Sequence, residues 1–170
     1  MLANAVYKRN SFENICDLVG IESIGGPVEF VLKRPTWSKS APITNDSFWN
    51  AQGTVAAVLS QLVEMGVLNI SNKDSATITV DNIANVRIDS ENCFDLFAKL
   101  ELLLQADILK EIRFNVIKDD VSMQLEMLSE GEKQLAQLLC LLEATKEYRA
   151  LFLLDEFDSF LHPNWQRRFA

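Results

Sequence analysis

Two short segments near the end of the chain contain residue types that can act on a phosphate group. Residues 128–134 have the sequence Leu-Ser-Glu-Gly-Glu-Lys-Gln, and residues 151–156 have the sequence Leu-Phe-Leu-Leu-Asp-Glu. The first segment places a serine and a glycine at the start of an apolar helix, where backbone N–H groups attract anions. The second is an apolar strand that ends in two adjacent carboxylates, which suit a metal ion and a water molecule.

The first segment has two interpretations. Ser129 followed three residues later by Glu132 is a capping box, which by itself indicates only a helix start. Gly131, however, lies inside the first turn, where glycine costs about 1 kcal/mol relative to alanine. Its presence therefore favours close approach of a ligand to exposed backbone N–H groups. The carboxylates of Asp155 and Glu156 downstream make phosphate contact the favoured interpretation.

The second segment predicts a buried strand. Four consecutive large apolar residues, 151–154, are typical of a strand covered on both faces of a parallel sheet. Ligands bind at the carboxyl ends of such strands, which is where Asp155 and Glu156 lie in sequence. A solvated strand end is the alternative.

Together the two segments resemble the signature motif and the Walker B strand of the ABC ATPase superfamily. The family signature Leu-Ser-Gly-Gly-Gln aligns with residues 128–132, of which Leu128, Ser129 and Gly131 match. The Ser-x-Gly-Glu form is similar to that of recombination, repair and defence ATPases. Residues 153–165, which include Leu-His-Pro, look most like the ATPases of Septu-type and retron-associated anti-phage systems.

The resemblance implies a role for each site residue, with ATP and Mg²⁺ as cofactors. Ser129, Gly131 and Glu132 would contact the γ-phosphate of ATP held by the opposite subunit of a homodimer. Asp155 would hold Mg²⁺, and Glu156 would be the general base that orients the attacking water. His162 replaces the aspartate of the family's D-loop, so it is expected at the dimer interface, with a polar helix cap as the alternative. An effector nuclease or another defence protein is a further expected partner.

The sequence has no P-loop, Gly-x-x-x-x-Gly-Lys-Ser/Thr, because none of its six glycines is followed by lysine. The switch histidine that follows Walker B in the family is also missing. We therefore expect the chain to be an internal fragment of a longer ATPase that does not hydrolyse ATP unaided. We also expect residues 151–154 to expose apolar surface, since part of their sheet would be missing.

Composition restricts the other classes of function. The net charge is −8, and residues 1–60 are neutral overall, so the excess of acid lies in residues 61–170. Without a basic stripe, DNA binding is possible but not indicated. No signal peptide or membrane-spanning run is evident, and the three cysteines have no Cys-x-x-Cys spacing. These features predict a cytoplasmic protein with reduced, buried thiols. A non-catalytic module that binds a partner through residues 46–110 is the alternative function.

Apolar periodicity predicts an α/β fold, with α+β character in the N-terminal part. The resemblance to ABC ATPases implies that this is a partial P-loop-type ATPase domain with a parallel core strand and an inserted helical lobe. The predicted divisions are an antiparallel β subdomain and loop (1–45), the helical lobe (46–111), and the signature and Walker B region (112–170). The predicted helices are 11–19, 46–65, 91–110 and 130–144, and the predicted strands are 28–33, 112–117, 121–125 and 150–154, with a hairpin within 71–90.

Overall fold

The computed structural model of the protein describes residues 11–81, 93–146, 148–149 and 151–153. Helices and a mostly antiparallel sheet make up these residues, which confirms the mixed α/β class. The helices are α1 (Ser11–Val19), α2 (Gly53–Met65), α3 (Cys93–Gln105) and α4 (Glu130–Ala144), with a 3-10 helix at Leu125–Met127. The strands are β1 (Ser23–Lys33), β2 (Ile43–Thr44), β3 (Ser47–Phe48), β4 (Val67–Asn72), β5 (Ser75–Val80), β6 (Leu109–Lys118) and β7 (Val121–Gln124).

The chain forms two compact units, which we call the sheet unit (residues 26–115) and the signature unit (residues 1–25 with 116–170). In the sheet unit the strand order is β4-β5-β1-β6. β1 pairs antiparallel with β5, so that Phe30 lies opposite Ile78 and Leu32 opposite Ala76. Because side chains alternate along a strand, these four residues share one face, and all of them are buried.

Helices α2 and α3 supply the other half of the core of the sheet unit. Leu59 and Leu62 of α2, together with Leu103 of α3, have no exposed surface and join the cluster formed by β1 and β5. Trp49 is equally buried, and its indole Nε1 donates to the Lys73 carbonyl oxygen at 2.9 Å. The indole thereby fills the core without leaving its N–H group unsatisfied.

Gly66 joins α2 to β4 at a close backbone approach. A Cβ atom at this position would lie 2.5 Å from the Thr79 carbonyl oxygen. A residue larger than glycine would therefore collide with the backbone of β5. The absence of a side chain allows β4 to follow α2 directly and to pair with β5.

The signature unit is built around α1, α4 and the end of β6. α1 contacts α4, and the Glu22 amide donates to the Ile117 carbonyl oxygen at 2.8 Å. β6 pairs with β7 beyond the turn at 119–120. Among the described residues of this unit, the buried apolar ones are Ile15, Cys16, Val19, Ile21, Val116, Leu128 and Leu135.

Several elements agree with the sequence and two differ in a way that has a physical reason. α1 and α4 occupy the predicted ranges. The helix predicted from Asp46 begins only at Gly53, because Asn45 and Asp46 connect β2 to β3 and Trp49 and Asn50 adopt positive φ angles. β5 confirms the first strand of the hairpin predicted within 71–90, but it forms its hairpin with β4. The second predicted strand, residues 86–88, lies outside the described part of the chain.

Several apolar residues of the predicted helices are exposed. Phe97 and Leu104 of α3 lie seven residues apart on one side of the helix and are about half exposed, whereas Leu103, about 100° around the helix from Leu104, has no exposed surface. On α4, Leu142 is partly exposed, and Cys140 is exposed although it was expected to be buried. Five residues, or about 140° of rotation at 3.6 residues per turn, separate Cys140 from the buried Leu135.

Residues 151–153 have no strand partner within the described chain. Leu151 is 85% and Leu153 is 87% exposed, so the prediction of a buried strand is wrong for these residues. A strand covered on both faces requires neighbouring strands and a layer on each side. The exposure agrees with the expectation that this run leaves apolar surface uncovered.

Candidate functional site: the start of the signature helix

Ser129 caps α4 with both halves of a capping box. Its backbone is extended, with φ −61° and ψ 155°, and its amide donates to Glu132 Oε2 at 2.9 Å. In return, the Glu132 amide donates to Ser129 Oγ at 3.4 Å. Two of the four orphan N–H groups of the helix start are satisfied in this way. The capping interpretation of the sequence is therefore confirmed.

Glu132 also connects α4 to β6. Lys118 Nζ forms an ion pair with Glu132 Oε1, and the Ser129 hydroxyl donates to Glu132 Oε2 at 2.8 Å. The Glu132 side chain is only 15% exposed. Burial by itself raises the pKa of this carboxyl group, but the hydrogen bonds from Lys118 and Ser129 outweigh it and the net pKa lies below the ordinary value of 4.5. Glu132 is therefore a carboxylate at neutral pH.

The remaining backbone donors of this turn are the N–H groups of Glu130 and Gly131, which make no hydrogen bond within the described part of the chain. Ser129 and Glu130 are exposed, whereas Gly131 is buried on the same side of the helix as Leu135. The structure thus differs from the exposed backbone expected at Gly131. Because Gly131 is buried, an anion would reach Ser129 and Glu130 first.

Charged side chains surround this helix start in pairs. Lys133 Nζ lies 2.9 Å from Glu130 Oε2, one turn along α4. Lys133 and Gln134 are both partly buried. Together with Lys118 and Glu132, these residues make the surroundings of Ser129 nearly neutral, so the positive end of the helix is not masked by an excess of carboxylates.

The structure brings together three of the six predicted site residues, namely Ser129, Gly131 and Glu132. Asp155, Glu156 and His162 lie outside the described residues, and their roles stay predictions. Within the described ranges no group of three or more His, Cys, Asp or Glu residues could hold a metal ion. The same ranges contain no helix that is both long and apolar enough to cross a bilayer.

Lys118 is the functional candidate that the sequence did not reveal. It lies 14 residues before Glu132, at the end of β6 and beside the turn at 119–120. Nothing in its local sequence distinguishes it from any lysine at a strand end. Only the fold, which brings the end of β6 beside the first turn of α4, pairs it with Glu132.

Comparison with models of protein families identifies the family of the chain. Residues 22–170 match the model of a family described as "AAA domain, putative AbiEii toxin, Type IV TA system". The chain belongs to this family. AAA domains are ATP-binding ATPase domains that typically use Mg²⁺, so membership supports a nucleotide-binding function for the chain. No curated protein and no solved structure matches the chain significantly.

Proposed function

We propose that this AAA-family chain supplies the signature helix and the catalytic carboxylates of a dimeric ABC-type ATPase. The observation that supports this most directly is the start of α4. Ser129 is exposed there, and the N–H groups of Glu130 and Gly131 have no partner within the described residues. A helix start with unused N–H groups is a favourable site for a phosphate group.

In this proposal the two segments act on ATP in different ways. Ser129 and the first turn of α4 bind the γ-phosphate of ATP held by the opposite subunit. Asp155 holds Mg²⁺ and Glu156 orients water, as the resemblance of residues 151–156 to a Walker B strand implies. Phosphoryl transfer depends mainly on positioning and on neutralising charge, so such a division between subunits is chemically sufficient. The main cradle of the nucleotide comes from a P-loop that this sequence does not contain.

Two observations support a role in anti-phage defence. The family description names a toxin and a type IV toxin–antitoxin system. Independently, residues 153–165 resemble Septu-type and retron-associated ATPases. An effector nuclease or another defence protein would then be the downstream partner, in addition to the second ATPase subunit.

The test is complementation of a defective partner. A P-loop-bearing subunit of the same family is given an arginine in place of its own signature serine and is mixed with this chain. We expect the chain alone to show only background turnover, equal to that of Glu156→Gln, and the mixture to hydrolyse ATP. Ser129→Arg should abolish this activity, whereas Ser60→Arg, at an exposed position on α2, should retain it.

Two results would contradict the proposal. One is full complementation by Ser129→Arg. The other is turnover by the 170-residue chain alone that Glu156→Gln abolishes, since the nucleotide would then be bound without an external P-loop.

The second candidate is a non-catalytic module that binds a partner protein. The observation in its favour is the exposed face of α3, where Phe97 and Leu104 are both about half exposed. It predicts a stable complex that forms equally well with and without nucleotide. Replacing both residues with serine should then disrupt the complex, while Ser129→Arg should have no effect.

A further inference from the structure

The Glu132 carboxylate accepts hydrogen bonds from three donors. Its Oε1 atom accepts from Lys118 Nζ, and its Oε2 atom accepts from both the amide and the hydroxyl group of Ser129. Such a carboxylate is fully engaged and its charge is compensated by the ammonium group. The three residues therefore act as one hydrogen-bonded unit at the start of α4.

This unit fixes the direction of the Ser129 hydroxyl hydrogen. A hydroxyl group has a single hydrogen, and here that hydrogen points to Glu132. A phosphate oxygen accepts but does not donate at neutral pH when it is fully ionised. For Ser129 to donate to a γ-phosphate, its hydroxyl must therefore turn away from Glu132.

Lys118 determines how unfavourable that change is. After the hydroxyl turns, Glu132 keeps two donors, the Ser129 amide and Lys118. Without Lys118 the carboxylate would retain the serine hydroxyl more strongly, and its unpaired negative charge would repel the approaching phosphate. Both effects act against nucleotide binding.

We propose that Lys118 is a positioning residue of the composite ATPase site: it holds the Glu132 carboxylate so that the Ser129 hydroxyl can exchange its hydrogen bond to Glu132 for a hydrogen bond to the γ-phosphate. The inference rests on the proposed function and specifies how its signature serine is controlled. Lys118 acts through Glu132 and does not itself touch the phosphate.

A purely structural role for Lys118 makes a different prediction. If the ion pair only attached β6 to α4, removing either partner would weaken the fold, and removing both would not restore nucleotide binding. If the proposed role is correct, the damage comes from an uncompensated carboxylate, so neutralising Glu132 should repair it.

The experiment uses the complementation assay with four variants, and measures KM for ATP and kcat separately. We expect Lys118→Met to raise KM about tenfold, equivalent to about 1.4 kcal/mol, with a smaller change in kcat. Lys118→Arg should leave KM unchanged, because it keeps the charge. Glu132→Gln is the reference background, and adding Lys118→Met to it should change KM by no more than about twofold, because the carboxylate that Lys118 compensates is then neutral.

Circular dichroism first establishes that each variant is folded, and Lys118→Gln replaces Lys118→Met if the latter is not. An unchanged KM in the Lys118 variant, or an equal loss in the single and double variants, would overturn the inference while leaving the proposed function intact. If Ser129→Arg complements fully in the same assay, the proposed function fails, and the inference fails with it.

Discussion

The sheet unit and the signature unit use their apolar residues differently. In the sheet unit, buried residues from five strands and two helices meet in one cluster whose members include several with no exposed surface, among them Leu32, Leu59 and Ile78. Among the described residues, the signature unit has fewer buried apolar residues than the sheet unit and leaves several large ones exposed, namely Val121, Met127, Leu141, Leu142, Tyr148, Leu151 and Leu153. Folding stability should therefore depend mainly on the sheet unit.

The ion pairs of the two units also differ in the groups that they contact. In the sheet unit, ion pairs such as that of Arg34 with Asp74, at 3.1 Å, attach a loop to a neighbouring turn. In the signature unit, Lys118 pairs with Glu132, and Glu132 also accepts a hydrogen bond from Ser129, the serine that is proposed to bind phosphate. Under the proposed function, the signature unit supplies the hydrogen-bonding groups that contact the ligand, whereas these ion pairs of the sheet unit have a structural role.

The largest effect should come from the core of the sheet unit. Leu62→Ala removes a fully buried side chain and should lower the free energy of unfolding by about 2–5 kcal/mol. The control is Leu141→Ala on α4, which changes an exposed side chain and should stay within about 0.5 kcal/mol. Urea denaturation followed by circular dichroism measures both. Equal losses in the free energy of unfolding would show that stability does not depend mainly on the sheet unit.

A smaller loss of folding stability should distinguish the substitution of Gly66 from that of Gly25. Gly66→Ala, in the sheet unit, would place a Cβ atom 2.5 Å from a backbone oxygen and should destabilise the protein by about 1–3 kcal/mol. Gly25→Ala, in the signature unit, would meet only the flexible Ile117 side chain at 3.2 Å. We expect a loss below about 1 kcal/mol for that control. If Gly25→Ala costs as much as Gly66→Ala, the close approach at Gly66 has no special importance.

The ion pair of Lys118 with Glu132 should contribute less to folding stability than the close approach at Gly66. Lys118→Met leaves the partly buried Glu132 without its cationic partner and should cost about 1–2 kcal/mol in the same denaturation experiment. Lys110→Met is the matched control, because its ion pair with Glu111 is long, at 4.0 Å, and exposed. That change should be close to neutral. A larger loss for the control would show that these charges act through general electrostatics instead of a specific contact.

The same pair gives a pH dependence with a defined sign. The pKa of Glu132 is lowered in the folded protein, so the folded state favours the ionised form and this contribution is fully present above the ordinary value of 4.5. It is lost as the pH falls through the lowered folded-state value. The stability difference between the unsubstituted chain and Lys118→Met should therefore decrease as the pH falls below 4.5. A difference that grows on acidification would contradict the assigned pairing.

Local sequence signals predicted part of this molecule well. The range of α4 follows from the capping box of Ser129 and Glu132, and the buried face of β1 follows from the alternation of Val28, Phe30 and Leu32. These features depend on residues that are close together in the chain. For the same reason, both the helix-capping role of Ser129 and its partner Glu132 could be predicted from the sequence.

Features that depend on the tertiary fold were not predictable in this way. An acidic residue before an apolar run resembles a helix cap, but Asp46 lies in the β2–β3 turn because Phe48 and Trp49 enter the core of the sheet unit. Which side of α3 is covered depends on the sheet, so the exposure of Phe97 could not be predicted from the sequence of the helix alone. Lys118 could be identified only from the position of β6 beside α4.

The central claim is that the start of α4 binds the terminal phosphate of ATP, and backbone amide chemical shifts test it most directly. The ¹⁵N-labelled chain, mixed with the unlabelled P-loop-bearing subunit of the complementation assay, is titrated with ATP·Mg²⁺ and, separately, with ADP·Mg²⁺. We predict that the amide signals of Glu130 and Gly131 shift with ATP and much less with ADP, and that Ser129→Arg removes the difference. Equal shifts with the two nucleotides, or shifts confined to residues outside the first turn of α4, would contradict the claim.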